Sequence, residues 1–192
     1  MCRCFGIENL PRDKFLEGLL VDGKLKIKAL LHRDRDFMNE EEAGKWSDSF
    51  KTPGVYPWVT EGSDIEAYFC KADYLCALYG VAPEVAEEWR QQAARKVNGA
   101  RKTFLEKRKK VVQAVWPYGG SPDAVKMWEE AGGASPATVK GKSLHSALKN
   151  LVKAAGFDDG QLNAFAIPLG YAAAPELKAL IEEAVAIDAL AQ

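Results

Sequence analysis

Leu25-Lys26-Ile27-Lys28-Ala29-Leu30-Leu31-His32-Arg33-Asp34-Arg35-Asp36 is the stretch that decides the fold class. Its first residues alternate apolar and basic and then turn apolar, as a strand does on entering a buried sheet. A polar cluster begins at His32, where such a strand stops. Asp34 and Asp36 follow with one residue between them. In extended backbone alternate side chains share a face, so both carboxylates can point into one space. Two anions held that close repel unless a cation sits between them. Mg²⁺ suits the arrangement, because it takes a few carboxylates and keeps waters and phosphate oxygens as its other ligands. The position at a strand's carboxyl end strengthens the reading, since ligands of open α/β sheets bind there.

Outward from this stretch, Asn39 followed by Glu40, Glu41 and Glu42 reads as an N-cap with acids in the first turn of a short helix over 40–50. Val55-Tyr56-Pro57-Trp58-Val59-Thr60 reads as a second short strand, and Pro57 argues for an edge position or an early end. This strand also runs into acids, namely Glu61, Asp64 and Glu66 around Gly62-Ser63. If the two strands are neighbours, those carboxylates approach Asp34 and Asp36. Two structural roles compete with metal binding. Glu66 stands three residues after Ser63, the spacing of a capping box for a helix running to about Leu78. Asp64 would complement the dipole in that helix's first turn.

Charge is uneven along the chain. Residues 34–66 hold nine acids against three Lys or Arg, whereas 89–110 hold nine basic residues against Glu106 alone. A near-neutral chain can therefore present opposed local fields. Apolar residues at Val85, Trp89, Ala93, Val97, Ala100, Phe104, Val111 and Val115 keep a three-to-four spacing, so 81–116 reads as a long amphipathic helix. Asn98-Gly99 offers a break in it. Its polar side carries Arg90, Arg95, Lys96, Arg101, Lys102, Lys107, Lys109 and Lys110; all but Arg90 and Lys107 form a candidate track for nucleic-acid phosphates. The alternative is a solvated helix face. A short helix over about 123–131, one bearing Leu144, Leu148, Leu151 and Val152, and a last one from Pro175 to about Leu190 complete a helical part over 117–192.

At 192 residues, with 5 Trp, 8 Phe and ordinary Gly and Pro content, the chain can bury a real core, and collagen-like or disordered readings fail. A net charge of −1 excludes a uniformly basic nucleic-acid binder. No stretch is long and apolar enough for a membrane span or a signal peptide. Cysteines at 2, 4, 70 and 76 match neither a zinc ribbon nor a redox CxxC, so reduced thiols in a cytoplasmic protein are expected. Gly141-Lys142-Ser143 is not a P-loop, because position 136, where the first glycine belongs, is Pro. It still places Lys142, with Lys140 nearby, at a helix N-terminus that would welcome an anion. His32 and His145 stand in no metal or nucleophile–base spacing, and His32 reads as a strand-end packing residue.

Leu31-His32-Arg33-Asp34-Arg35-Asp36-Phe37-Met38, followed by Val59-Thr60-Glu61-Gly62-Ser63-Asp64-Ile65-Glu66-Ala67-Tyr68-Phe69, resembles Toprim-type domains. The likeness is to the C-terminal Toprim region of OLD-family and related ATP-binding proteins, many associated with phage defence. Lys140-Gly141-Lys142-Ser143-Leu144 is similar to a Gly-Lys segment that follows in such proteins, and the resemblance covers roughly 25–155. It implies an α/β fold with a small Rossmann-like parallel sheet over 1–80, followed by helices. It also implies a Mg²⁺- or Mn²⁺-dependent nuclease acting on nucleic acid, DNA foremost. Asp34 and Asp36 match the family's Asp-x-Asp ligands, Glu66 or Asp64 the next acidic position, and Lys142 becomes a candidate catalytic residue. One departure stands out. The family's first Glu-bearing strand has only Glu8 as a counterpart, and no ATPase domain accompanies the chain, so an ATPase partner or a missing N-terminal ATPase domain is expected. The competing reading is a non-catalytic interaction module that docks on an ATPase through the amphipathic helix.

Overall fold

The computed structural model describes residues 13–22 and 27–189, with side chains through Val185. Cys2, Cys4, Glu8 and the start of the expected first strand, Leu25 and Lys26, lie outside the described residues. The protein is α/β, mostly helical, with a small parallel sheet, and the chain divides into two compact units.

Among the described residues, unit 1 comprises 13–22, 27–33, 40–59 and 175–189. Strands β1 (Ala29–Arg33) and β2 (Val55–Val59) pair in parallel, in a register that sets Ala29 against Val55 and Arg33 against Val59. Between them in the chain lies helix α2 (Glu40–Ser47), part of the crossover that parallel strands require. It ends earlier than the expected residue 50, where Ser49 Oγ donates to the Trp46 carbonyl at 2.6 Å. Side chains alternate along β1: Leu31 and Arg33 are buried, whereas Leu30 and His32 are exposed. One face of the strand is therefore covered, not both. Leu31, Trp46 and Val55 form a small core with Leu16 of α1 (Asp13–Glu17) and Leu20 of the π-helical turn after it. The His32 ring packs on Trp58 at 4.7 Å. Helix α9 (Pro175–Ala189) lies against β2, with Pro175 at its start.

Unit 2 comprises residues 34–39 and 60–174. Its expected single helix from Ser63 to Leu78 is instead a 3₁₀ helix over Ile65–Cys70 and a separate α3 (Ala72–Tyr79), joined through an extended Lys71. The long periodic segment is α4 (Pro83–Lys96) and α5 (Ala100–Val115), with Gly99 between them in the left-handed region at φ 71°. That backbone suits glycine and costs other residues more. Helices α6 (Ala124–Glu130), α7 (Gly141–Ala154) and α8 (Asp159–Asn163) follow. The apolar stripe of α7, Leu144, Leu148 and Val152, is buried against Tyr74, Leu75, Ala86, Ala93 and Ala94. This is the largest core among the described residues, and it carries the 3₁₀ helix on which the acidic loop is built. No described helix is long and apolar enough to cross a membrane.

Candidate functional site

Chain connectivity explains the site's origin. Asp34 directly follows β1 and Thr60 directly follows β2, and both segments belong to unit 2. Backbone bonds then lock the two segments together. The Arg35 N–H donates to Thr60 Oγ1 at 2.9 Å, and the Asp36 N–H donates to the Ser63 carbonyl at 2.9 Å. The Arg35 guanidinium donates to the carbonyls of Met38 at 2.8 Å and Glu61 at 3.1 Å. Asp36 and Phe37 both adopt left-handed backbone, at φ 47° and 67°. Aspartate tolerates that region and a bulky phenylalanine rarely enters it, so the pair stores strain that the surroundings must hold. Arg108, fully buried in α5, donates to the Phe37 carbonyl at 3.1 Å and supplies part of that hold.

Three carboxylates from these loops converge on one ammonium. Lys140 Nζ stands 3.8 Å from Asp34 Oδ2, 3.5 Å from Asp36 Oδ1 and 3.9 Å from Asp64 Oδ2. Lys107, on α5, reaches Asp36 from another side, with its Nζ 2.9 Å from Oδ2. Asp36 Oδ1 is buried and accepts no hydrogen bond, although the Lys107 ammonium lies 2.9 Å away as an ion pair. Burial works against the charge on Lys140, but Asp36, Asp34 and Asp64 outweigh it and hold the ammonium above its ordinary range. The Asp64 carboxyl is also raised, away from its charged form. Its burial pushes it up more strongly than the Lys142 N–H and Lys140 pull it down, and Glu66 and Asp34 add to the rise.

Asp64 and Ser63 have a second role. Asp64 does not cap its own helix through its side chain, and the expected capping box does not form. Instead the Gly141 N–H donates to Ser63 Oγ at 2.8 Å and the Lys142 N–H donates to Asp64 Oδ2 at 3.2 Å. The loop thus caps α7 from across the unit, satisfying amides that a helix start leaves without partners. The approach needs glycine at 141, because a Cβ there would lie 1.9 Å from Asp64 Oδ1. Buried Cys70 belongs to the same junction, with its Sγ 3.7 Å from the Gly141 carbonyl, and burial pushes its thiol well up, so it stays protonated.

The candidates named from sequence therefore separate. Asp34, Asp36 and Asp64 come together. Glu66 is half-buried and adds negative potential at Asp64, but the Lys140 ion pairs are made by the three aspartates. The Lys142 side chain is exposed and contributes its backbone N–H, while Lys140 occupies the centre. Arg95, Lys96, Arg101, Lys102, Lys109 and Lys110 lie on α4 and α5, and all six are exposed. Lys107, read in sequence as one more charge on that face, turns instead toward Asp36, and Arg108 is buried. One signal was available for both: they follow Phe104 by three and four residues, on the edge of the apolar stripe. Among the described residues, no three carboxylates, thiols or imidazoles already stand in metal-ligating geometry. No protein-family model, curated protein or solved structure matches the chain.

Proposed function

We propose that unit 2 is a Toprim-like centre for Mg²⁺- or Mn²⁺-dependent cleavage of nucleic-acid phosphodiesters, with Asp34, Asp36 and Asp64 as its oxygen ligands. The observation that supports this reading is the convergence of these three carboxylates on a single cationic point. The donor set is chemically suited to a hard divalent ion, and buried Asp36 Oδ1 has acceptor capacity that no hydrogen bond uses. Such an ion would polarise a phosphate oxygen and stabilise the charge that develops on it. Lys107 and Lys140 hold the carboxylates together against their mutual repulsion. The exposed cations of α4 and α5 provide sequence-independent contacts for the strand's phosphates. The resemblance to OLD-family proteins adds an ATPase partner and a role in phage defence. Plasmid and linear DNA incubated with Mg²⁺ or Mn²⁺ test the reading. Wild type should cut, and Asp34→Ala and Asp36→Ala should not; equal cleavage by all three overturns it.

A second reading has its own observation. Lys140 already stands where a metal would be needed, and it neutralises the carboxylates as an internal ionic lock. On that reading the chain is a non-catalytic module that docks on an ATPase. Thermal melting separates the two. A ligand bound only by the folded form must raise the melting temperature, so an Asp34-dependent rise with Mn²⁺ supports the metal centre and its absence supports the lock.

A further inference from the structure

Beside the carboxylate cluster, unit 2 holds a cavity of about 300 Å³, at the lower end of the size range of small-molecule pockets. Phe37, Met38, Phe104 and Met127 give it apolar walls, and Arg35, Glu61, Ser63 and Thr138 are its polar elements, with the Glu61 carboxylate paired to Lys71. The Phe37 and Phe104 rings lie 4.9 Å apart, and Trp128 stands behind Phe104 at 5.4 Å. The cavity and the cluster share a wall. Asp36 faces the lysines and its neighbour Phe37 lines the cavity, and the paired left-handed conformations at 36 and 37 set this division. On α5, Phe104 lines the cavity, while Arg101 and Lys107 stand three residues to either side of it.

An aromatic-walled cavity with an exposed cation, Arg101, one helical turn away is the arrangement that receives a base with its phosphate. A nucleobase has apolar faces, a polar edge and an attached anion, and each finds its complement here. A base within a duplex cannot enter, because its faces are covered by its neighbours. We propose that this cavity takes one unstacked nucleobase of a bound strand, whose neighbouring phosphate lies along the Arg101 side of α5. The proposal rests on the reading that the chain binds nucleic acid, and it adds a base subsite and a preference for unpaired strands. An apolar peptide side chain would fill the walls equally well but would make no use of the exposed Arg101 beside them.

The test uses the full chain in EDTA, so that binding is read without cleavage. A short single-stranded oligonucleotide carrying one 2-aminopurine is compared with the same strand made abasic at that position and with its duplex. Expected are a change in 2-aminopurine fluorescence on binding and roughly tenfold weaker binding of the abasic strand, the effect of losing one stacked base. Ala137 lies at the exposed rim, and Ala137→Trp should remove both differences while leaving phosphate-driven binding. Met127→Trp, with folding checked by circular dichroism, serves as the second blocking variant. Equal binding of intact and abasic strands overturns the base subsite alone. No binding of any strand overturns the nucleic-acid reading with it. Quenching of tryptophan fluorescence by N-acetyl-phenylalanine amide, with no response to oligonucleotide, also overturns it in favour of a peptide.

Discussion

Lys140 tests what the carboxylate cluster is for. Its side chain is 23% exposed and lies within 4 Å of Asp34, Asp36 and Asp64. Removing one partner of a partly buried ion group strands the others, so Lys140→Ala should cost about 1–3 kcal/mol of stability at neutral pH. Mn²⁺ should then raise the melting temperature of this variant more than that of wild type, because the cation replaces the missing ammonium. No Mn²⁺-dependent shift in either protein would show that no divalent ion enters the cluster. His145 offers a pH measurement at a distance from this chemistry. Burial, its largest influence, holds the ring below its ordinary value; the ring stacks on Phe165 at 4.6 Å, and Nε2 bonds the Leu162 carbonyl at 3.0 Å. The folded protein therefore binds this proton more weakly than the unfolded chain does. Stability should fall as the pH drops through the unfolded value of 6.5 and level off below the folded one. Asp64 acts in the opposite sense: its raised carboxyl stabilises the fold as the pH falls toward 3.8. Comparing denaturation of wild type and His145→Gln across this range isolates the histidine, and an unchanged slope would remove it as the cause.

Among the secondary-structure elements, the junction of α7 with the acidic loop is the most constrained. A Cβ at Gly141 would also approach the Ala67 backbone nitrogen to 2.4 Å. Backbone cannot yield as a flexible side chain can, so Gly141→Ala should lose at least about 2 kcal/mol, read as a lower urea midpoint at unchanged slope. A midpoint within error of wild type would mean that the helix start is looser than its two caps imply. Helix α5 can be tested through its exposed cations. Arg101 and Lys102 both face solvent, and Lys102 has a 3.9 Å pairing with Glu106. Reversing both to Glu should leave stability within about 0.5 kcal/mol. DNA affinity should weaken, and the salt slope should fall by about one unit for each phosphate no longer held. Unchanged affinity and slope in the folded variant would leave α5 as a solvated face.

Across the whole molecule, the two units differ in how much core each has built. Among the described residues, unit 2 buries Tyr74, Leu75, Leu148, Val152 and Leu162 almost completely, whereas the core of unit 1 centres on five buried side chains around two strands. A pair of strands is marginal without helices packed against it. Amide exchange should therefore be slowest in α7 and α4, reporting global opening of unit 2, and faster in β1 and β2. Mass-resolved exchange that places the slowest amides in the sheet would contradict this ranking.

The features legible in the sequence were the local ones. The apolar runs at 29–31 and 55–59 located β1 and β2, although β1 starts after the alternating residues 27–28 and continues through His32 and Arg33, past its expected stop, because pairing with Trp58 and Val59 extends it. The three-to-four period located α4, α5 and α7, and each of these patterns is written in neighbouring residues. Asp34 and Asp36 stood out for the same reason: they share one short segment. Long-range packing settled the rest. Ser63 and Glu66 have capping-box spacing, yet the loop caps α7, seventy-eight residues further on, because buried amides at that helix start had to be satisfied. Nothing in local spacing distinguishes Lys140 from Lys142. The choice depends on which side chain the helix start aims at the carboxylates and which it leaves in solvent. Lys107 likewise turns from the basic face toward Asp36 because α5 packs beside that loop, bringing together residues seventy-one positions apart. Such placements follow from packing and long-range charge, which no single window of sequence contains.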